Sequence, residues 1–401
     1  MATILKAGNV ASGAQITSDS TGILEIKTGT GAGTTAITVG TNQAVTFAAG
    51  TTVSSLTTSG AVSAGSLTVN SNNISAVNSL GFRNRIINGD CRIDQRNNGA
   101  SGTASAYTVD RWQFNASLTT KGTWQQNAGS VTPPAGFTNY LGFTSNSAYT
   151  VGSSELFSFQ QRIEGLNVAD LAWGTANAQT VTLSFWVRSS LTGTFGGSLR
   201  NSAGDRSYPF TFTISSANTW EYETITIAGD TSGTWLTTNG IGIIVTLSLG
   251  AGSTVSGTAG AWAAGNFVSA TGATSVVGTN GATFYITGVQ LEAGSVATPF
   301  ERRDYGRELM MAQRYFQFVN VGWVGSTTAT VLYGNGGVFQ VAPRVQPTIA
   351  WLASGGLAGF ANSSGTATFA GSNSGFYYYK AATTSANSNA FIDSLSASAE
   401  L

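Results

Sequence analysis

Arginines and aspartates crowd one stretch of this chain: Arg83, Arg85, Asp90, Arg92, Asp94, Arg96, Asp110 and Arg111. Two kinds of chemistry suit such a cluster. Its carboxylates could supply the oxygen ligands that a hard cation such as Ca²⁺ takes. Its guanidinium groups could hold an anionic sugar through paired N–H bonds. The plainer reading pairs these charges with one another and with a second charged group, Glu301, Arg302 and Arg303. In a sandwich the first and last strands often lie close, and surface pairs contribute only about 0–1 kcal/mol each. That reading is preferred. The expectation is a seam cluster of Arg92, Asp94, Arg96, Asp110, Glu301, Arg302 and Arg303, with no metal and no cofactor.

Other carboxylates stand apart. Glu221 and Glu223 are two positions apart on a strand-like run and so share a face, while Asp205 and Asp230 fall in loops. Glycoside hydrolysis needs two carboxyls about 5–10 Å apart across a cleft, and no further signature accompanies these four. Histidine is absent, which removes Ser-His-Asp and Cys-His catalysis and every histidine metal ligand. The single cysteine, Cys91, can close no internal disulfide and is read as a small buried hydrophobe. Aromatic residues in loops are the better lead, because sugar C–H faces stack on indole and phenol rings. Trp124, Trp235, Trp262, Trp323, Tyr333, Tyr377 and Tyr379 qualify. Trp112, Phe185 and Trp186 lie in strong strand patterns and are read as core.

The 401 residues include 51 glycines, and only 9% are charged. Ser, Thr, Ala and Asn fill the gap, giving a neutral, hydroxyl-rich surface. Net charge is zero and no basic block occurs, which argues against binding nucleic acid by counterion release. No apolar run is long enough for a helical membrane span, and residues 1–10 carry no apolar secretory core. Synthesis in a cytoplasm is expected.

These residues need a scaffold. Residues 1–81 hold short β-like pulses (23–26, 37–39, 44–47, 66–69) but one aromatic, Phe47, and cannot offset their ordering entropy as a lone monomer. Several chains winding together would share one narrow core, so an oligomer is expected. Residues 82–303 carry strand patterns at 180–187, 208–214, 220–227, 241–249 and 283–291, with helical periodicity only at 166–173. This predicts an antiparallel sandwich, with residues 250–282 as an excursion. At 304 the period changes. Tyr305, Leu309, Ala312 and Phe316 mark one helix face, and Asp304 sits where an N-cap belongs. Short strands at 316–324, 328–332, 338–341, 348–352 and 376–379 then make a small β-rich domain over 304–401.

Two stretches also carry a resemblance: "FRNRIINGDCRIDQRNNGASGTASAYTVDRWQF" (82–114) and "VQLEAGSVATPFERRDYGRELMMAQRYF" (289–316). A weaker one is "VAPRVQPTIAW" (341–351), together with the "ASAEL" terminus. The chain resembles phage tail-fibre and related virion structural proteins over residues 82–401. The resemblance implies an N-terminal segment that attaches the chain and makes it a homotrimer, a carbohydrate-binding-like jelly-roll sandwich and a distal C-terminal cap. It also implies a place on the virion tail, other virion proteins as partners of residues 1–81, and adhesion to host-surface polysaccharide. The contact is then expected on or beside the cap, at Tyr377, Tyr379, Trp323 and Tyr333, or at Trp235 and Trp262 in the sandwich loops. A head fibre, decoration or collar part that binds only virion proteins is the alternative, and a polysaccharide depolymerase is third.

Overall fold

A computed structural model describes residues 82–327, 332–354, 375–381 and 386–401, and before residue 82 only the strands. Side chains are described for 82–320, 337–350 and 394–401, with Leu352 and Gly375. The chain divides into two units, Met1–Gly65 and Ser66–Leu401. The expected boundary near residue 81 lies outside the described residues.

In the first unit β1 (Leu5–Ala7), β2 (Ala14–Ser18), β3 (Leu24–Thr28), β4 (Thr34–Val39) and β5 (Val45–Phe47) pair in chain order as an antiparallel meander. The pulses at 23–26, 37–39 and 44–47 lie on β3, β4 and β5. The shared core expected of residues 1–81 would rest on side chains outside the described ones. The second unit opens with a hairpin, β6 (Leu67–Val69) and β7 (Asn72–Ile74).

Two antiparallel sheets then face each other. One holds β10 (Gly122–Gln126), β11 (Leu141–Ser145), β21 (Thr283–Ala293), β13 (Val181–Ser189) and β16 (Glu221–Ile227), in that order. The other has seven strands in the order β19 (Ala263–Ala264), β15 (Arg206–Ile214), β14 (Gly193–Arg200), β17 (Ile241–Ala251), β12 (Leu156–Glu164), β9 (Gln113–Ala116) and β8 (Ala106–Tyr107). The chain passes repeatedly from one sheet to the other, as a jelly roll requires. Inward residues alternate along every long strand. Phe157, Phe159 and Ile163 of β12, Phe195 and Leu199 of β14, and Ile243, Val245, Leu247 and Leu249 of β17 meet Leu183, Phe185, Phe284, Ile286 and Leu291 of the facing sheet. Residues 166–173 form two 3₁₀ turns, Gly165–Asn167 and Ala169–Leu171, rather than a longer helix. The 250–282 excursion carries β18 (Ser256–Gly257) and β20 (Ser269–Ala270), paired in parallel, with Ser269 packed over Gly196 of β14.

The helix α1 (Tyr305–Gln313) starts at Asp304, whose carboxylate accepts the Arg307 N–H at 2.9 Å. Its buried face differs from the expected one. Glu308, Ala312 and then Tyr315 point inward, whereas Tyr305 is exposed and Leu309 only half-buried. Phe316 is buried as expected. Apolar periodicity missed the register because a paired carboxylate occupies an interior position. Beyond α1, β22 (Phe316–Thr327), β26 (Ala386–Ser398) and β24 (Thr348–Ser354) make one small sheet. The β23 strand (Leu332–Val338) pairs with β25 (Gly375–Ala381) in another. The strand expected at 338–341 is the end of β23 and a turn. This region docks on the sandwich through Glu164, which accepts from Arg314 at 2.9 Å and from the Tyr315 hydroxyl at 2.9 Å.

Candidate functional site

Most of the seam cluster is held in ion pairs and hydrogen bonds. Arg303 is buried and pairs with Glu308 at 3.2 Å and Glu301 at 3.0 Å. Glu301 accepts the Asn84 N–H at 2.7 Å, and Arg92 pairs with Asp90 at 3.1 Å while donating to the Arg303 carbonyl. Arg96 reaches Asp110 at 3.8 Å and Glu400 at 2.8 Å, and Arg111 also donates to Glu400. Asp94 accepts the N–H groups of Asn97 and Gly99, closing a turn. These side chains join the start of the sandwich to its last strand and to the C-terminal region. Burial raises Asp110 to about 6 despite the Arg96 and Gln95 contacts. Burial likewise pushes the Cys91 thiol well up. Among the described residues, no three acidic or thiol groups gather in a way that could hold a metal ion. One member leaves the seam: Arg302 is exposed, and its guanidinium lies over Phe137 at 4.6 Å and Phe300 at 5.8 Å.

The isolated carboxylates are largely engaged. Asp230 is buried and makes a two-point pair with Arg206, both contacts at 2.7 Å. Asp205 accepts from Asn201, and Glu221 closes the 214–221 turn on the N–H groups of Ser215 and Ser216. Glu223 sits half-buried opposite the core residue Phe185 on β13, and burial, with Glu221 second, raises its pKa.

The loop tryptophans are packed together. Trp173 and Trp235 meet edge to face at 4.7 Å, and Trp262 lies 5.3 Å from each. Trp235 is buried and donates to the Ser232 carbonyl; Trp262 is half-buried and donates to the Ala228 carbonyl. The indole N–H of each is thus taken by a backbone carbonyl. Trp124 is buried as well. Trp323 lies on β22 and Tyr333 on β23, while Tyr377 and Tyr379 of β25 stand opposite Gly336 and Gly334. Their side chains lie outside the described ones.

A platform absent from those expectations occupies the outer face of the five-stranded sheet. Alternation sends Phe185 into the core and therefore Trp186 outward. Trp186 stands beside Tyr222 of β16 and Thr287 of β21, with the Trp186 and Tyr222 rings 5.3 Å apart at 47°. Tyr222 is 42% exposed. A bulge in β21 falls directly beneath: the register with β13 slips between Ser184 and Trp186, where Gly288 takes φ +61°. A Cβ there would lie 2.6 Å from a Phe137 ring carbon and 3.2 Å from Trp186. The absent side chain thus lets Phe137 close over the bulge beside Trp186. Phe137 meets Phe300 edge to face at 5.3 Å, and Arg302 covers both. The strip runs Tyr222, Trp186, Phe137, Phe300, Arg302. Beside it Ser184 and Thr224, and then Thr182 and Thr226, form cross-strand pairs, with Thr224 and Thr226 exposed.

Trp186 has a distinction among the seven tryptophans of residues 82–303. The other six each donate the indole N–H to a backbone carbonyl, of Asn88, Ala104, Gln179, Thr132, Ser232 and Ala228 in turn. Trp186 donates to no described residue. A half-exposed ring with a free donor, next to a tyrosine and a row of hydroxyls, can stack on an apolar ring face while bonding a polar substituent.

No known protein family matches the chain, and no curated protein matches it. The solved structures it resembles are distant. The enzymatically active domain of tailspike protein 4 of bacteriophage CBA120 is 11% identical with a TM-score of 0.29, over 53% of this chain. This chain spans 21% of that one's length. The carbohydrate-binding module TmCBM61, solved with β-1,4-galactotriose, is 11% identical at a TM-score of 0.26, over 53% of this chain and 100% of that one. A family 11 carbohydrate-binding module from Clostridium thermocellum, in complex with a β-1,3-1,4-mixed-linked tetrasaccharide, is 10% identical at 0.25, over 49% and 98%. At such scores these likenesses carry no weight for ligand or activity.

Proposed function

We propose that this chain is a virion-surface adhesin of the tail-fibre kind that binds a host-surface polysaccharide without cleaving it. The observation that carries the reading is Trp186: half-exposed, paired with Tyr222, and free to donate where six sandwich tryptophans are satisfied. Sugar rings stack on the indole and phenol faces, and the free N–H with the Thr224 and Thr226 hydroxyls bonds to their hydroxyl groups. A chain in which only 9% of residues are charged suits a neutral, hydroxylated ligand. The reading without catalysis is supported by the engagement of Asp205, Asp230 and Glu221 in turns and ion pairs. Attachment through residues 1–81, a homotrimer, and a place on the tail belong to the same proposal and rest on the sequence resemblance.

The test is adsorption of purified protein to host cells and to their isolated surface polysaccharide. Changing Trp186 and Tyr222 together to Ala should lower binding at least tenfold, with the fold retained by circular dichroism. Unchanged adsorption removes the platform as the site. Shortening of the polysaccharide on incubation would overturn the non-catalytic part.

A further inference from the structure

The outer face of the seven-stranded sheet is lined by polar residues, Ser158, Gln160, Ser198, Thr246 and Ser248 among them buried, and the buried Arg200 on it has no counter-charge among the described residues. Alternation places Ser198 and Arg200 of β14, Thr246 and Ser248 of β17, Ser158, Gln160 and Arg162 of β12, and Gln113 and Asn115 of β9 on this one side. The register aligns them in rows. Ser198, Thr246, Gln160 and Gln113 stand side by side on successive strands, and Arg200, Ile244 and Arg162 form the next row. The two arginines are therefore two strand spacings apart, about 10 Å.

Arg200 is only 6% exposed. Its guanidinium donates to Gln160 Oε1 at 3.3 Å, to Thr246 Oγ1 at 3.3 Å and to Asn266 Oδ1. Each acceptor is neutral. No carboxylate of the described residues lies within ion-pair distance of Arg200, although the two other buried arginines, Arg111 and Arg303, each have one. The Arg200 Nε, Ser198 Oγ and Ser269 Oγ, buried on the same face, have no hydrogen-bond partner among the described residues. A buried charge without a counter-charge is costly, and native folds keep such a group when something else repays it. Burial, with Arg162 second, lowers the Arg200 pKa to about 10, so the group stays cationic at neutral pH. The strongest contact is to Asn266, an exposed residue of the 250–282 excursion. An amide oxygen there occupies the place where a carboxylate oxygen would make a charge-assisted bond.

We infer that Arg200 is the carboxylate-binding centre of a second saccharide site, specific for an acidic sugar such as a hexuronate, with Asn266 holding the place of the ligand's oxygen. The guanidinium takes the carboxylate through two N–H bonds. The Gln113 amide nitrogen, whose own oxygen accepts from Gln160 at 2.7 Å, is left for the ring hydroxyls, together with the Asn266 amide once the ligand displaces it. The inference rests on the polysaccharide reading above but uses the opposite sheet, so the two fail separately.

The experiment is calorimetric titration of the full chain with tetragalacturonate and, as the uncharged control, a galactotetraose. Tetragalacturonate should bind at least tenfold more tightly than the control. Asn266→Asp places a carboxylate on Arg200 from within the chain. It should abolish tetragalacturonate binding and raise the melting midpoint. Arg200→Gln should abolish binding as well, and the Asp variant keeps the test alive if that protein does not fold. The double Trp186 and Tyr222 variant should retain tetragalacturonate binding, which separates this site from the platform. Equal affinity for both oligosaccharides, or full tetragalacturonate binding by Asn266→Asp, would overturn the inference.

Discussion

Replacing Glu308 by Ala should destabilise the C-terminal region more than replacing its neighbour Leu309, although apolar periodicity alone ranks them the other way. Glu308 is 4% exposed, receives the Asn88 N–H and pairs with the buried Arg303 at 3.2 Å. Removing one partner of a buried pair typically costs about 3–5 kcal/mol, because the other charge stays buried. Arg303 keeps Glu301 at 3.0 Å and the Asn84 and Ile86 carbonyls, so the lower end, about 3 kcal/mol, is expected. Leu309 is half-buried and should cost about 1–2 kcal/mol, below the range for a fully buried leucine. Urea unfolding of each variant gives the comparison. The pair should also show coupling: Arg303→Met with Glu308→Met should cost at least about 1 kcal/mol less than the sum of the singles. A Glu308→Ala cost below that of Leu309→Ala, or simple additivity, would refute a buried ion pair as the pin of this helix.

Three further outcomes follow. Asp110, raised to about 6 by burial, binds its proton more tightly folded than unfolded. Its contribution to stability is therefore full below about pH 4 and is lost as pH rises through about 6; the wild-type minus Asp110→Asn difference in unfolding free energy should show that fall. Gly288→Ala, at φ +61° and against Phe137, should cost about 1–3 kcal/mol and weaken polysaccharide binding, measured by urea unfolding and adsorption. Full-length protein should sediment as a trimer, and a chain starting at Gly81 should lose that state; a monomeric full-length protein would remove the attachment-segment reading.

How much of this was legible depends on how far apart the partners lie in the chain. The long strands were readable because alternation is local: all five expected runs in the sandwich lie on β13, β15, β16, β17 and β21. The Asp304 cap was readable for the same reason. Trp186 was readable in principle. Its neighbour Phe185 is core, and adjacent strand residues cannot share a face, but the apolar run around it masked the alternation. The α1 register was lost because Glu308 is interior, and only Arg303 and Asn88 explain that. The burial of Trp235 and the contacts of Trp262 needed the assembled loops, since Trp173, Trp235 and Trp262 come from three separate segments. Arg200 offered no local signal, because its strongest partner, Asn266, arrives from an excursion 66 residues later.

The most direct measurement uses protein labelled with ¹⁵N at the tryptophan indoles, with the Trp186 resonance assigned by its loss in Trp186→Phe. Host-surface polysaccharide is then titrated in. The Trp186 N–H should shift and gain protection from solvent exchange, while the resonances of Trp112, Trp124, Trp173 and Trp235 stay in place. Saturable binding that leaves the Trp186 resonance unmoved would contradict the assignment of the glycan to this platform.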